Sequence, residues 1–491
     1  MDLSAKLKDV SLLQTKCFVH GKWVSAASDK TFAVDNPSTL QHIASCPEFD
    51  PKDTEAAVAA AQDAFKTFRH VPARTRARLL RRWYELMMEH MDDLASIITA
   101  ENGKPLADSR TEVAYAASFF EWFSEEAPRI YGDTIEASNP SCRLRTVKEP
   151  IGVCGLIAPW NFPAAMITRK VGPALAAGCT VVVKAPGEAP LTALALAELA
   201  RRAGIPDGVV NIITALENTA AVGQVLTTHP VIKKVSFTGS TGVGKLLMNQ
   251  CSITLKKLSF ELGGNAPFIV FDDANLAVAL RGLMASKFRI SGQTCVCANR
   301  ILVQRAVYDT FVQMVVDEVR QFRVGDGYVQ STTHGPLIHQ RAVQKVATHV
   351  QDAVARGARV LLGGEPLHSL GPNYFGITVL ADMKPGMKLC YEETFGPVAA
   401  FFPFDTEEEA IALANDSDVG LAGYFFSKDA NRCYRVAEAL EVGMVGVNVG
   451  ALSDPVAPFG GVKQSGFGRE GSKYGIDEFV ITKMVMTGID D

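Results

Sequence analysis

Three residues of this chain combine a reactive side chain with surroundings that would let it act. Cys295 lies in SGQTCVC, where Gly292, Gln293 and Thr294 give the access that a nucleophilic cysteine needs and an apolar strand would deny. The alternative is a buried packing cysteine. Glu261 closes the run KLSF and opens ELGG, with Gly263 and Gly264 permitting close approach of backbone or ligand. A carboxylate at the carboxyl end of a parallel strand stands where catalytic groups occur, whereas a helix cap or a surface acid is the plainer fate of a Glu. Asn161 sits in PWNFP, held between Pro159 and Pro163. Its amide can donate to an oxyanion or simply close an Asx turn.

Two glycine motifs suggest nucleotides and fail in part. GFGREG (466–471) matches G-x-G-x-x-G, but it follows no strand and too little chain remains for a βαβ unit, so a loop that needs glycine is expected. GSTGVGK (239–245) follows the strand-like KVSF and continues into a helical stretch, yet Leu246 stands where a phosphate-binding loop needs Ser or Thr for magnesium. What remains is either a glycine turn or a helix N-terminus able to receive a diphosphate.

The elements that must position these residues alternate strand and helix. Helical periodicity fills 54–138, with Thr54 as N-cap and Asn102–Gly103 as a stop. Next come CTVVVK (179–184), a helix from Pro190 to Gly204, VVNII (209–213), KVSF (234–237) and KLSF (257–260), the pattern of a doubly wound parallel sheet. A second alternating section runs through APFIVF (266–271), ILVQ (301–304), a helix near 306–323, ARVLLGG (358–364), VAAFFPF (398–404) and MVGVNV (444–449). The expected fold is two α/β units with the N-terminal helices packed on the first.

Across 491 residues, 49 Lys and Arg against 53 Asp and Glu leave a formal charge of −4, so there is no basic footprint for nucleic acid. The charge-free span 151–168 is broken by Pro159, Asn161 and Pro163 and followed by Arg169–Lys170, which argues against a membrane span. The ten cysteines show no zinc or disulfide spacing, and the N-terminus has no signal or transit character, so a cytoplasmic, metal-free protein is expected.

PWNFP, FTGSTGVG (237–244), FELGGNAP (260–267), GQTC (292–295), EETFGP (392–397) and PFGGVKQSG (458–466), in this order, resemble the aldehyde dehydrogenase superfamily over nearly the whole chain. The resemblance implies two interleaved α/β domains, a Rossmann-like cofactor domain (1–130 and 151–262) and a catalytic domain (263–465), with an oligomerisation element (131–150 and 466–491). Cys295 would form a thiohemiacetal and then a thioester. Asn161 would hold the oxyanion, and Glu261 would activate the hydrolytic water. Trp160, Lys184, Glu188 and Ser240 would contact the adenosine and diphosphate of NAD or NADP, and Glu393 and Phe395 the nicotinamide half. A homodimer or homotetramer is implied, with 131–150 and 479–491 pairing between subunits.

Within the superfamily, 163–184, SKFR (286–289) and GREGSKYGIDE (468–478) are most similar to succinate-semialdehyde dehydrogenases, usually set in γ-aminobutyrate degradation. Arg169, Arg289 and Ser453 would bind the substrate carboxylate, for which the guanidinium fork is suited. Glutarate semialdehyde, one methylene longer, is an alternative. Outside this chemistry, a magnesium-dependent nucleotide hydrolase is opposed by Leu246, and a catalytically silent scaffold by the joint presence of Cys295, Glu261 and Asn161. Cys297 would form an inhibitory disulfide with Cys295, or else serve packing. NAD-preferring members carry Glu three residues after the lysine; here that place is Gly187, with Glu188 next and Ala185 replacing the usual proline. Loss of the carboxylate favours NADP, with NAD retained through Glu188.

Overall fold

The β-branched runs fold as strands buried on both faces. Thr180–Lys184 contains no exposed residue, as a parallel strand covered by helices on either side requires. The computed structural model describes residues 3–489. Met1 and Asp2 of the expected cofactor domain, and Asp490 and Asp491 of the expected bridging element, lie outside the described residues.

Val153–Ile157, Thr180–Lys184, Val210–Ile213, Ile232–Thr238 and Lys257–Glu261 pair in parallel. Their spatial order is third, second, first, fourth, fifth. The chain therefore starts at the middle of the sheet and winds outward both ways, which opens a crevice at the carboxyl ends. Short antiparallel strands complete the sheet. Cys17–Val19 flanks Val210–Ile213, and Gly466–Phe467 flanks Lys257–Glu261.

Pro51–Phe68 contributes Ala57, Val58 and Ala61 to the core on one face of this sheet. Ala73–Glu89, Met91–Asn102 and Leu106–Glu126 contribute Trp83, Ile97 and Phe120 to the core on the other. The expected cap moves from Thr54 to Asp50, because Pro51 fits the first helical position and Asp50 and Asp53 form a reciprocal capping box. The long helical pattern ending at Asn102 is two helices. His90 leaves helical dihedrals (φ −101°, ψ 24°), and Asp92 and Asp93 favour a fresh N-terminus.

The second sheet runs Arg359–Leu362, Thr378–Ala381, Val398–Phe404, Ala298–Gln304, Ala266–Val270, Ala422–Phe426 and Met444–Val447, parallel except at its first pair. Sequence patterning misses Thr378–Ala381 and Ala422–Phe426, short buried runs without alternation. The molecule is thus two α/β units with a small β element.

That element is a separate three-stranded sheet. Cys142–Pro150 pairs antiparallel with Val480–Gly488 and with Thr134–Ile135. The two segments expected to pair between subunits pair with each other within the chain, in unbroken register from Val480–Pro150 to Gly488–Cys142. The outer edge of Val480–Gly488 has no partner strand among the described residues. Gly466–Phe467, expected in the bridging element, joins the first sheet because Phe467 stacks on Phe260 at 5.4 Å. In GFGREG, Gly466, Gly468 and Gly471 have φ of 104°, 82° and 68°, the left-handed backbone that glycine supplies. Among the described residues no helix is long and apolar enough to cross a membrane.

Candidate functional site

The segment carrying Cys295 is bent by three consecutive left-handed residues, Ile290, Ser291 and Gly292 (φ 46°, 56° and 75°). Such backbone persists only where its neighbours over-determine it. Gln293 does much of this. Its Nε2 donates to the Ile290 carbonyl (3.2 Å) and its Oε1 accepts from Ile338 N (3.0 Å). Tyr424 Oη holds the Val296 carbonyl at 2.9 Å. A Cβ on Gly264 would stand 2.4 Å from the Cys295 carbonyl oxygen, so that position tolerates no side chain. Cys295 is half-buried. Burial, then the charge of Glu261, raises its thiol well above the ordinary range, and Arg169 offsets this only in part.

Asn161 follows the strand Val153–Ile157 and makes both expected kinds of contact. Its Oδ1 accepts from Phe162 N (3.2 Å), a local turn bond, and its Nδ2 donates to the Gln293 carbonyl (3.1 Å). One amide proton remains for another acceptor. The N-terminal helices brace this loop. Asn102 Nδ2 donates to the Trp160 carbonyl (2.9 Å), and Lys104 Nζ donates to the Asn161 carbonyl (2.7 Å). Lys104 is in turn paired with buried Glu112, which accepts from Ala164 N (2.9 Å).

Glu261 ends Lys257–Glu261 as expected and is 3% exposed. Arg169 Nη2 donates to its Oε2, while its Oε1 is buried without a hydrogen-bond partner. An orphaned carboxylate oxygen facing a cavity is suited to hold a water.

Cys295 lies between two cavities. The larger, about 430 Å³, is lined by Trp160, Asn161, Ser240, Glu261, Glu393 and Phe395 among others. Its floor includes the N-terminus of Thr241–Cys251, where Ser240 supplies no side-chain cap and leaves the first-turn N–H groups for an anion. Lys245, the lysine of the glycine motif, is exposed instead. Glu393 Oε1 accepts from Gly264 N (3.2 Å), and burial raises its carboxyl to about 7. Phe395, at φ 55°, meets Trp160 edge to face at 5.7 Å. A cavity lined by a helix N-terminus, an aromatic pair and a carboxyl fits the diphosphate and nicotinamide part of a dinucleotide. Lys184 and Glu188 do not line this volume. Lys184 is buried at its strand end, where desolvation lowers its ammonium to about 8 against the attraction of Glu188 and Glu48. At Gly187 a Cβ would come within 2.6 Å of Leu216 Cδ1 and 3.1 Å of the Ala215 carbonyl.

The smaller cavity, about 40 Å³, brings together Arg169, Arg289 and Ser453 with Tyr115, Phe162 and Phe459. The two arginines differ. Arg169 is 1% exposed, ion-paired with both Glu261 and Glu470, and stacked over Phe459 at 4.7 Å. Lys170 shares Glu470, so the four charges balance. Arg289 lies over the Phe162 ring at 4.6 Å and makes no ion pair within 4 Å among the described residues. Tyr115, whose hydroxyl burial raises, and Glu470 were not anticipated from sequence. Each reaches the site by packing from a distant segment, and no local motif marks either.

Cys297 lines neither cavity. It is buried with Sγ 3.2 Å from Lys287 Nζ, and both it and Cys295 are free thiols. Among the described residues no group of three or more His, Cys, Asp or Glu has metal-holding geometry.

The sequence model of the aldehyde dehydrogenase family matches residues 23–485. The chain is 56% identical to the NADP(+) succinate-semialdehyde dehydrogenase 1 of Schizosaccharomyces pombe, covering 98% of this chain and 97% of that protein. It is 53% identical to a 3-sulfolactaldehyde dehydrogenase of Pseudomonas putida (98% and 99%) and 51% identical to a glutarate-semialdehyde dehydrogenase of Pseudomonas aeruginosa (98% and 99%). The crystal structure of succinate-semialdehyde dehydrogenase from Burkholderia pseudomallei superposes with a TM-score of 0.97 at 52% identity, over 98% of this chain and all of that one.

Proposed function

The chain belongs to the aldehyde dehydrogenase family, and on that premise we propose that it oxidises succinate semialdehyde to succinate with NADP as the preferred acceptor. The observation that carries this reading is the placement of Cys295 between a cavity of about 430 Å³ that starts at a helix N-terminus and a small chamber holding two arginines. Aldehyde, oxidised cofactor and water give carboxylate, reduced cofactor and two protons.

Arg289 and Ser453, with Arg169 behind them, bind the substrate carboxylate and set the aldehyde carbon against Cys295. Cys295 rests as a thiol, and Glu261, the charged group beside it, takes the proton as sulfur bonds the carbon. The oxyanion formed receives the second Asn161 amide proton and the Cys295 backbone N–H. A dinucleotide held in the larger cavity would supply the hydride acceptor, and Cys295 would then carry the acyl group as a thioester. After Glu261 has passed that first proton to solvent, it takes a proton from the water that attacks this thioester and returns it to the departing Cys295 thiolate, and the acid is released and ionises. Trp160, Ser240, Glu393 and Phe395 would hold the cofactor in the larger cavity, and its adenosine would extend beyond that cavity toward Lys184 and Glu188.

The preference for NADP is supported by Gly187, where no carboxylate opposes a 2′-phosphate, and by the cofactor in the name of the Schizosaccharomyces relative. Glutarate semialdehyde is the second reading, favoured by the Pseudomonas aeruginosa relative; the sulfolactaldehyde enzyme extends the same theme of an aldehyde bearing an anion. We assign the chain to the cytoplasm as a homodimer or homotetramer assembled through the small β element, where Ile481, Met484 and Met486 are exposed.

The test is cofactor reduction by the purified chain with succinate semialdehyde, glutarate semialdehyde or propanal, and with NADP or NAD. Turnover with succinate semialdehyde and NADP well above the other pairings is expected. No reduction with any aldehyde would leave only a silent scaffold, and equal rates with propanal would remove the carboxylate site.

A further inference from the structure

Arg169 touches both the substrate chamber and the proposed base, and Arg289 only the chamber. One guanidinium edge of Arg169 is bound to Glu261 Oε2, another faces Glu470, and Phe459 covers its plane. One oxygen of Glu261, Oε2, is thereby held against the wall of the site, and only the unpartnered Oε1 is left to the larger cavity. An ion-paired oxygen directs its lone pair at guanidinium hydrogens and not at water. The chamber meanwhile holds Arg289 without a carboxylate partner, so an arriving anion meets one unpaired cation and one already engaged.

We propose that Arg169 is a substrate-operated latch on Glu261. The carboxylate of the substrate, drawn in by Arg289, takes over the Arg169 hydrogens that Glu261 Oε2 holds, and the freed carboxylate of Glu261 turns from the sulfur centre beside it to the hydrolytic water. Arg169 stays charged and stays paired with Glu470; one carboxylate replaces another, and no proton is gained or lost in the exchange. Arg169 is thus a positioning residue for Glu261 as well as a contact for the substrate. An aldehyde lacking the anion leaves the latch shut and turns over slowly even when it saturates the site. This rests on the carboxylate-site reading above and adds to it that binding is converted into turnover, not into affinity alone.

The test splits the substrate in two. The intact protein is given saturating propanal, and formate is titrated in at constant ionic strength against chloride, with succinate semialdehyde measured in parallel. Formate fills the carboxylate position in trans and is expected to raise kcat for propanal saturably by about tenfold, part of the roughly 10²–10⁴-fold that a positioned base contributes. In Arg169→Gln the formate effect disappears, and in Arg289→Gln it requires more formate. If succinate semialdehyde is preferred over propanal but formate leaves kcat unchanged, lowers it, or alters KM alone, the latch is overturned while the substrate reading stands. Formate activation that survives in Arg169→Gln also overturns it. No preference for succinate semialdehyde overturns both.

Discussion

At the scale of single residues, the site separates charges that look alike in sequence. Arg169 is neutralised by Glu261 and Glu470, whereas Arg289, within electrostatic range of Asp108, makes no ion pair within 4 Å among the described residues. Replacing Arg289 by Gln is expected to lower kcat/KM for succinate semialdehyde by roughly ten- to hundredfold, the range for losing hydrogen bonds to a charged group, with propanal little changed. An equal loss for both aldehydes would place Arg289 in support of the fold. Lys184 gives a pH signature. Its buried ammonium titrates at about 8, so it is charged below that pH and loses the charge as pH rises through it. The dissociation constant for NADP is therefore expected to rise above pH 8 by at most about tenfold per unit, while that for NAD stays flat. Parallel binding titrations from pH 7 to 9.5 check this, and identical pH profiles would separate Lys184 from the 2′-phosphate.

At the scale of elements, the site is built where loops from both sheets meet, and its tightest point is the contact of Gly264 with the Cys295 backbone. Gly264→Ala is expected to abolish turnover with little change in melting temperature, since the added Cβ pushes the Cys295 loop and not the core. A variant that unfolds instead, or that retains full activity, would show the contact to be less exacting. The strand that ends in Glu261 was legible because β-branched runs and glycine stops act locally, whereas Val153–Ile157, the apolar strand ahead of Asn161, and the left-handed bend at 290–292 ahead of Cys295 were not. The split at His90 and the Asp50 cap were not, because competing local signals there are decided by capping bonds only the folded chain reveals. Glu470 was beyond reach for another reason. It stands 300 positions from Lys170, and its partners are set by the docking of the 466–467 strand on the first sheet. Asn102, Lys104 and Glu112, which brace the Asn161 loop, come from helices whose sequence reads only as amphipathic.

For the whole molecule, two α/β units contribute opposite walls of one site, and a third sheet extends from them with an exposed apolar strand. Placing charges there, as in Met484→Asp with Met486→Asp, is expected to shift the sedimentation coefficient to a smaller species without loss of helix content; an unchanged value would remove this strand from the assembly. The near-neutral chain places Arg289, a cation with no ion pair within 4 Å among the described residues, in a chamber beside a sulfur kept protonated until substrate arrives, so specificity and reactivity meet at Cys295. The most direct measurement is the covalent state of that sulfur. With Glu261→Gln, in which solvent is left as the base for the Cys295 thiol, succinate semialdehyde and oxidised NADP should give reduced cofactor slowly and in a single turnover, and peptide mass spectrometry should find a succinyl group on Cys295 and on no other cysteine. Cofactor reduction with Cys295 unmodified, or with the acyl group on a different residue, would contradict the account.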